Sequence, residues 1–408
     1  MKAILATCLV LAVAVFGEKV RYDGFQVYEL IPVNEQQVSA LKSMEELNGG
    51  YSFWIGASTV GKAVHVMVPP HLKLNFEDSM KLLNLNHSIY MENVQEKIES
   101  SSVRTHYKSF GWTQYHTLEE IYDFLRDLES RFPDNVKVVK GGESYEGRDI
   151  LGVHVSFNKA NENNAIFIEG GIHAREWIGP ATVTYMLNEF MTSTDSRVRN
   201  IAESHDWYIF PSVNPDGYVY THARDRMWRK TRQPYGFCVG ADPNRNWGFH
   251  WMEGGASNNP CLETFAGSKA FSEPETKSLA DYIESINKKL VGYIAFHSYS
   301  QLLLIPYGHT SQHLENYDEL YRIGLKGAKA LEKHYGTKYT VGNIVETIYI
   351  ASGGSMDWVK GEFGTRITYT YELRDTGRHG FLLPAEQIIP TGEETLDSLV
   401  TMLEEYQK

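Results

Sequence analysis

Clustered positive charge, cysteine and long hydrophobic runs are all scarce in this sequence of 408 residues. Asp and Glu number 51 against 39 Lys and Arg, and the resulting net charge of −12 argues against a nucleic-acid-binding protein. Repeats, heptads and low-complexity tracts are absent, and 42% of the residues are hydrophobic. These values exclude a mostly disordered, collagen-like or coiled-coil chain. The length predicts a globular protein of about two to three domains.

Several signatures of common catalytic folds are missing as well. The sequence contains no G-x-S-x-G, no H-E-x-x-H, no phosphate-binding loop and no dinucleotide-binding fingerprint. Any catalytic site must therefore be found from less familiar groupings of residues.

One apolar run stands out, from Ala3 to Phe16 near the N-terminus. It follows a single Lys, ends at Gly17 and is too short to span a bilayer comfortably. We therefore predict that residues 1–17 are a secretory signal peptide and that the protein is secreted, with no membrane attachment. A buried N-terminal helix is the alternative interpretation.

The cysteine content is consistent with a secreted protein. Removal of the signal peptide would take Cys8 and leave two, Cys238 and Cys261. An even pair in an oxidising compartment predicts one disulfide, with two free buried thiols as the alternative.

Residues 18–92 are predicted to form a small α+β unit. Its elements follow the order strand, helix, strand, strand, helix, strand, which is typical of a ferredoxin-like open sandwich. The pattern locates strands at Phe25–Ile31, Val64–Val68 and near Ser88–Met91, and helices at Gln36–Leu47 and Phe76–Leu83. This unit contains no convincing catalytic cluster.

Residues 93–108 are predicted to connect this unit to the rest of the chain. The first half can be helical, whereas the second half is polar, rich in serine and contains Arg104 and Lys108. A solvated basic segment is a site for cleavage by a trypsin-like protease, and an ordinary interdomain linker is the alternative.

Residues 109–408 alternate strands and helices and predict one α/β domain with a mixed central sheet flanked by helices. Thr117–Glu120 has the pattern of a capping box before a helix at Ile121–Phe132. Ser272–Glu275 and Thr391–Glu394 are predicted to cap two further helices. Apolar runs predict buried strands at Ala165–Glu169, Trp207–Phe210 and Val291–Phe296, and a helix at Pro180–Met191.

Two short motifs suggest a metal site. His173 and Glu176 are separated by two residues after a predicted strand, and His297 ends another apolar strand. Imidazole nitrogen and carboxylate oxygen are zinc ligands, and the carboxyl edge of an open α/β sheet is where such folds bind ligands. A lone H-x-x-E is also common by chance on protein surfaces, so these residues alone leave both interpretations open.

Other polar groupings have two interpretations when each is taken alone. The cluster Arg226–Arg232 could be a solvated face, and Glu372 could be an exposed acid at a strand end. The segment Asp242–Trp247 contains a guanidinium group and side-chain amides that could bind both oxygens of a carboxylate.

Together, in this order, the motifs resemble the secreted zinc carboxypeptidases of the pancreatic A/B type, which are made as zymogens. The resemblance covers essentially the whole chain after the signal peptide. Any one motif is weak, but their ordered occurrence is specific. The motifs are Tyr115–Tyr122, Ser144–Arg148, His173–Trp177, Asn214–Tyr218, Trp228–Arg232, Asp242–Trp247, His297–Gln301, Ile348–Ser355 and Glu372–Gly377.

The resemblance implies the catalytic parts. One Zn²⁺ per chain would be held by His173, Glu176 and His297. Glu372 would be the general base, and Arg229 would stabilise the oxyanion. The resemblance also implies that Cys238 and Cys261 form the family's single disulfide.

The resemblance also implies the residues that bind substrate. Asn244 and Arg245 would grip the terminal carboxylate, which makes the enzyme an exopeptidase, and Tyr349 would close over the departing residue. Arg175, Ser298 and Tyr299 would line the outer subsites. Asp242 is a candidate acceptor that orients His173.

Specificity is predicted from the floor of the pocket, where the resemblance places Met356. Relatives that remove Lys or Arg carry Asp at this position, whereas Met is apolar and adaptable. We therefore predict a preference for aliphatic and aromatic C-terminal residues. The other pocket positions carry no charge: Leu304, Gly308, Ile344, Ile348, Ala351, Gly354 and Thr370. Asp357 would place an acid in the pocket if the loop shifted by one residue.

The expected partners are peptide and protein C-termini, an activating trypsin-like protease and protein inhibitors of carboxypeptidases, with a digestive role for a monomer. The small front unit is predicted to cover the cleft until it is cut off. A catalytically dead relative is disfavoured because Glu372 and all three ligands are present. A zinc amidase with another substrate is disfavoured by Asn244, Arg245 and Tyr349.

Overall fold

The computed structural model describes residues 18–47, 49–101, 110–158 and 163–408. The predicted signal peptide and the candidate cleavage positions Arg104 and Lys108 lie outside these ranges. None of the helices in the described ranges is long and apolar enough to cross a lipid bilayer.

The front unit has the predicted order of elements. Its strands are β1 (Gln26–Leu30), β2 (Ser52–Ile55), β3 (Val64–Val68) and β4 (His87–Met91). Its helices are α1 (Glu35–Glu46) and α2 (Lys73–Leu82), and α3 (Val94–Ser101) follows in the connecting segment. The four strands form one antiparallel sheet in the order β2-β3-β1-β4, which confirms the ferredoxin-like sandwich.

The large unit is built on an eight-stranded mixed sheet, as the sequence predicted. Its strands are β5 (Val136–Glu143), β6 (Asp149–Val155), β7 (Ala165–Gly170), β8 (Asp206–Phe210), β9 (Pro234–Tyr235), β10 (Cys238–Val239), β11 (Leu290–Ser298), β12 (Leu302–Ile305), β13 (Thr340–Asn343) and β14 (Ile367–Leu373). The sheet order is β13-β12-β14-β11-β7-β8-β6-β5, and β9 pairs with β10 in a separate small hairpin.

Helices cover both faces of that sheet. They are α4 (Leu118–Arg131), α5 (Ile178–Thr192), α6 (Ser196–Ser204), α7 (Pro215–Ala223), α8 (Pro274–Ile286), α9 (Tyr317–Tyr335), α10 (Ile344–Thr347), α11 (Ser355–Phe363) and α12 (Ile388–Tyr406). Alternate residues of β7 belong to different apolar cores, because successive side chains of a strand point to opposite faces. Ile166 and Ile168 pack in one core, and Ala165 and Phe167 in the other.

One of the three predicted helix caps is confirmed. The Thr117 side chain accepts a hydrogen bond from the Glu120 N–H, and the Glu120 carboxylate accepts one from the Thr117 N–H, so the capping box at α4 is complete.

The prediction for Thr391 is wrong, because α12 begins three residues earlier at Ile388. The Thr391 hydroxyl donates back to the Gln387 carbonyl at 2.6 Å, as interior threonines do. Pro390 was the better signal, since proline is tolerated in the first turn of a helix.

The prediction for Ser272 is also wrong. Helix α8 begins at Pro274, and the cap position is Glu273, whose side chain makes no capping bond. The Ser272 hydroxyl instead donates to the Glu273 carboxylate at 2.9 Å. Proline at the first helical position needs no partner for a missing N–H, which explains how this end forms without a serine cap.

Three neighbouring parallel strands position the candidate site residues. Strand β11 lies between β7 and β14 and runs parallel to both. The carboxyl ends of all three therefore meet at one edge of the sheet. In this register His297 is paired with Glu372, and Phe296 with Gly170.

Candidate metal centre and substrate cleft

His173, Glu176 and His297 converge at the carboxyl edge of the sheet. One ligand atom from each lies within 4.8 Å of the others, and all three side chains are buried. His173 and Glu176 occupy the turn between β7 and α5, and His297 is near the end of β11. His173 Nδ1 lies 2.8 Å from Glu176 Oε1 and 3.2 Å from His297 Nδ1.

This donor set fits Zn²⁺. Two ring nitrogens facing each other beside a carboxylate are a favourable arrangement around a shared cation, and two His with one Glu is a known catalytic zinc set. On its other side His173 Nε2 lies 3.1 Å from Asp242 Oδ1. A proton on Nε2 then leaves the Nδ1 lone pair free to bind metal, which is the role predicted for Asp242.

Asp242 is fully buried and remains charged because of its neighbours. Burial acts to raise its pKa, but Arg229 and His173 outweigh that effect and hold the pKa of Asp242 well below its usual range. The Arg229 guanidinium donates to Asp242 Oδ2 at 2.8 Å and lies 3.8 Å from Glu176 Oε1. Arg229 is therefore fixed beside the candidate metal ligands.

Glu372 approaches the same centre from β14. It lines the cleft together with the three candidate ligands and Arg229. Desolvation raises the pKa of Glu372 to about 8, and His297 acts in the opposite direction. A raised pKa makes a carboxylate a stronger proton acceptor, which suits a general base.

A second polar group lies farther along the cleft. Asn244, Arg245 and Tyr349 all line it. Arg245 donates through Nε to the Gly255 carbonyl at 2.8 Å, and its guanidinium carbon lies 5.9 Å from the centre of the Tyr349 ring. A guanidinium, an amide and a phenol around one space can bind a carboxylate.

An apolar pocket forms part of the same cleft. Met356 lines it and contacts Thr370, whose hydroxyl lies 3.5 Å from the Met356 sulfur. The other apolar pocket residues are Leu304, Ile344, Ile348, Ala351 and Gly354, as the sequence predicted. Gly308 is not among the lining residues of the described chain, but a Cβ on it would contact Ala351 and Ile344.

Asp357 also borders this pocket, but one carboxylate oxygen is already engaged. The Gly308 N–H donates to Asp357 Oδ2 at 2.7 Å, and His309 Nδ1 lies 3.5 Å from the same oxygen. Asp357 therefore faces the loop at residues 308–309 with Oδ2, whereas its buried Oδ1 has no hydrogen-bond partner among the described residues. Met356 and Asp357 both line the cleft, and Met356 is the apolar one of the two.

The outer residues divide into two sets. Ser298 and Tyr299 line the cleft, and the Ser298 N–H donates to Glu176 Oε2 at 3.2 Å. Arg175 is outside the set of lining residues, because its guanidinium donates to Glu263 at 2.9 Å and stacks on Phe381 at 4.3 Å. Phe381 itself lines the cleft.

The front unit covers the cleft, as predicted. Trp54 and Ile55 from β2 are among its lining residues, and the Trp54 ring packs on Phe381 with centroids 5.3 Å apart. His65 from β3 is hydrogen-bonded to the Tyr299 hydroxyl, with its Nδ1 at 2.8 Å. A substrate cannot occupy the same space as these side chains.

Sequence reasoning missed Trp54, Phe381 and Glu169. Glu169 lies at the end of β7 with 1% of its surface exposed, and its signal was an acid in an otherwise apolar strand. Buried carboxylates need partners, so such a residue indicates a polar network. Trp54 and Phe381 carry no comparable signal, since an aromatic residue is equally consistent with a core.

The chain matches known proteins over most of its length. Residues 121–398 match the zinc carboxypeptidase family, and residues 28–101 match the carboxypeptidase activation peptide. Zinc carboxypeptidase A 1 of Anopheles gambiae is 48% identical over 410 residues, which cover 99% of this chain and 94% of that protein.

Solved structures agree. The crystal structure of the carboxypeptidase A from Helicoverpa armigera has a TM-score of 0.86 at 30% identity and covers 94% of this chain and 98% of that one. Bovine thrombin-activatable fibrinolysis inhibitor in complex with tick carboxypeptidase inhibitor has a TM-score of 0.68 at 38% identity, over 72% of this chain and 99% of that one.

The chain therefore belongs to the zinc carboxypeptidase family. It is a metallocarboxypeptidase that uses Zn²⁺ and is made as a zymogen with an activation peptide. The structure also contains the expected disulfide between Cys238 and Cys261.

We expect about one zinc per chain, because the cluster in the described residues offers one set of three ligands. Chelation should abolish peptidase activity, and added zinc should restore it. His297→Ala should lose both zinc and activity in metal analysis and assay, whereas His313→Ala, at an exposed histidine, should keep both. Full zinc content in the His297 variant would contradict this assignment.

Proposed function

We propose that this protein is a secreted digestive exopeptidase that removes aliphatic and aromatic residues from peptide C-termini. The observation that supports this best is the single cleft that joins the His/Glu/His cluster to an apolar pocket bordered by Met356. Arg245 lines the same cleft, where its guanidinium can bind the carboxylate of the departing residue.

The side chains have separate roles in this proposal. His173, Glu176 and His297 would hold the zinc, which when bound would supply Lewis-acid chemistry for the scissile carbonyl and the attacking water. Glu372 accepts a proton from the attacking water and passes it to the leaving amine. Arg229 stabilises the negative charge that develops on the carbonyl oxygen.

The other residues of the cleft bind different parts of the substrate in this proposal. Asn244 and Arg245 bind the terminal carboxylate, and Tyr349 closes over it. Met356 forms the floor of the pocket for the departing side chain. Ser298 and Tyr299, with Arg175 beneath Phe381, belong to the outer subsites that hold the preceding residues.

Specificity tests this proposal. We expect kcat/KM for matched peptides ending in Phe or Leu to exceed that for Lys or Arg by at least about 100-fold, because an unpaired ammonium in an apolar pocket costs several kcal/mol. Met356→Asp should raise the value for Lys and lower it for Leu, whereas Met356→Leu should preserve the order. A wild-type preference for Lys or Arg would exclude Met356 as the floor.

We also propose that activation requires a cut between residues 93 and 108, which separates a pro-domain at 18–92 from a catalytic domain at 109–408. Arg104 and Lys108 are the candidate positions for a trypsin-like protease. The enzyme acts as a monomer outside the cell after loss of residues 1–17. The released cleft would suit a protein inhibitor that presents its own C-terminus.

The pro-domain should dock less well at acidic pH because of His65, which is 1% exposed at the covered cleft. Burial lowers the pKa of His65, and Glu29, 3.4 Å away, acts in the opposite direction. Docking therefore favours neutral His65. The free energy of docking should become less favourable as the pH falls below about 6.5, the pKa of a free histidine. The other facing groups are Tyr90, Tyr299 and Asp375.

Size-exclusion chromatography of the cut chain at pH 8 and pH 5 measures this association. His65→Gln should retain the complex with a smaller dependence on pH. An equal pH dependence in wild type and variant would assign the effect to another group.

A further inference from the structure

Ser355 is the first residue of α11 and makes two hydrogen bonds in different directions. Its backbone N–H donates to Asn244 Oδ1 at 3.0 Å. Its hydroxyl donates to Glu169 Oε1 at 2.8 Å. Ser355 and Glu169 are each 1% exposed, so the hydroxyl bond is shielded from water, whereas the bond to Asn244 is only partly buried.

The first bond determines which way the Asn244 amide points. A backbone N–H can only donate, so the Asn244 atom that faces it must be the carbonyl oxygen and not the NH₂ group. The NH₂ group therefore occupies the opposite branch of the planar amide. Since Asn244 lines the cleft, its two N–H donors are the part left to meet a bound anion.

The reverse orientation is unfavourable on both sides. The NH₂ group would then face the Ser355 N–H, donor against donor, and the amide oxygen would face the carboxylate of the substrate. The Asn244 backbone is itself held, because its N–H donates to Asp242 Oδ1 at 2.9 Å. Only the side-chain amide is left to be fixed, and the Ser355 N–H fixes it.

The second bond holds Ser355 in place. Glu169 Oε1 accepts from the Ser355 hydroxyl and also from the Tyr293 hydroxyl, at 2.7 Å. Glu169 is the penultimate residue of β7, which leads to His173, and Tyr293 lies in β11, which contains His297. The start of α11 is thereby tied to the part of the sheet that carries the metal ligands.

We propose that Ser355 is a positioning residue for recognition of the C-terminal carboxylate: its N–H orients the Asn244 amide, and its hydroxyl bond to Glu169 holds that N–H in register with the metal ligands. This inference rests on the proposed role of Asn244 in binding the carboxylate.

Two variants separate the two bonds. Ser355→Ala removes the hydroxyl and keeps the N–H, whereas Ser355→Pro removes both. Proline suits this position, because Ser355 is the first helical residue and Gly354 before it is extended, with φ −83° and ψ 155°. The comparison of the two variants isolates the N–H.

Two inhibitors of the cleaved, zinc-loaded enzyme give the readout. 3-Phenylpropanoate carries a carboxylate and an apolar ring, whereas acetohydroxamate needs only the metal. We expect the inhibition constant of 3-phenylpropanoate to rise by about 3-fold in Ser355→Ala and about 10- to 100-fold in Ser355→Pro, as for loss of hydrogen bonds to a charged group. That of acetohydroxamate should stay within about 2-fold in both, since no metal contact changes.

Equal inhibition of Ser355→Pro and Ser355→Ala by 3-phenylpropanoate would overturn the role of the N–H. If the proline variant does not fold, Ser355→Ala decides alone, and an unchanged constant there overturns the inference. Asn244→Ala separates this from the proposed function. An unchanged constant in Asn244→Ala means that Asn244 does not bind the carboxylate, whereas a raised constant there with unaffected Ser355 variants refutes only the positioning role.

Discussion

Replacing Glu372 with Gln is expected to lower kcat of the cleaved enzyme by about 10²- to 10⁴-fold, the usual contribution of a general base. Glutamine has nearly the same shape but cannot accept a proton from water. Because Glu372 is not in the described His/Glu/His cluster, zinc content should not change. The fall should appear in kcat more than in KM, since the residue acts on the reaction and not on binding.

Glu346→Gln is the matched control, because Glu346 is exposed on the nearby α10 and pairs with His313 outside the cleft. Its kcat should equal that of the wild type. Zinc analysis and thermal unfolding of both variants exclude loss of metal or fold. Near-normal turnover in Glu372→Gln would remove Glu372 from the mechanism.

The intact chain is expected to be almost inactive on small peptides, and a cut between residues 93 and 108 should raise activity by at least about 100-fold. Before the cut the front unit is covalently attached to the catalytic domain. It therefore competes with substrate for the cleft at a millimolar or higher effective concentration. After the cut it can diffuse away. Mass spectrometry of the trypsin-treated chain, with Arg104→Gln and Lys108→Gln variants, would locate the cut while the assay follows activity.

Two variants, one at Trp54 and one at Leu74, test whether the front unit inhibits through its contacts with the cleft. Trp54→Ala should raise the activity of the uncut chain, because Trp54 fills the cleft and packs on Phe381. Leu74→Ala should not, because Leu74 is 75% exposed and does not line the cleft. Full activity of the intact chain, unchanged by the cut, would show that the front unit does not inhibit.

The fold was predictable where local patterns and the global fold agree. Strand β3 at Val64–Val68 has the predicted bounds, and α1 is displaced by one residue from its predicted position. Predictions failed at helix starts such as Thr391, where a polar residue matched a capping pattern but proline and tertiary packing set the boundary.

The candidate site was predictable to the extent that its residues follow strands. His297 and Glu372 are the penultimate residues of the neighbouring parallel strands β11 and β14, so their proximity follows from the sheet order. The contacts of Trp54 and His65 with the cleft were not predictable by residue, because they depend on how two separately folded units dock. The orientation of the Asn244 amide was equally hidden, since it depends on one backbone N–H more than a hundred residues away in the chain.

The disulfide between Cys238 and Cys261 has a consequence for how the enzyme would fail. The two cysteines are 23 positions apart, and the segment between them contains Asp242, Asn244, Arg245 and Gly255, whose carbonyl accepts a hydrogen bond from Arg245. Closing a loop of this size lowers the conformational entropy of the unfolded chain, which stabilises the folded state by about 3 kcal/mol. Reduction should therefore destabilise first this segment, which holds Asn244 and Arg245, the residues proposed to bind the substrate carboxylate. The three candidate metal ligands lie outside it. Mild reduction should weaken binding of peptide C-termini more than binding of zinc, for which only the contact of Asp242 with His173 depends on the loop.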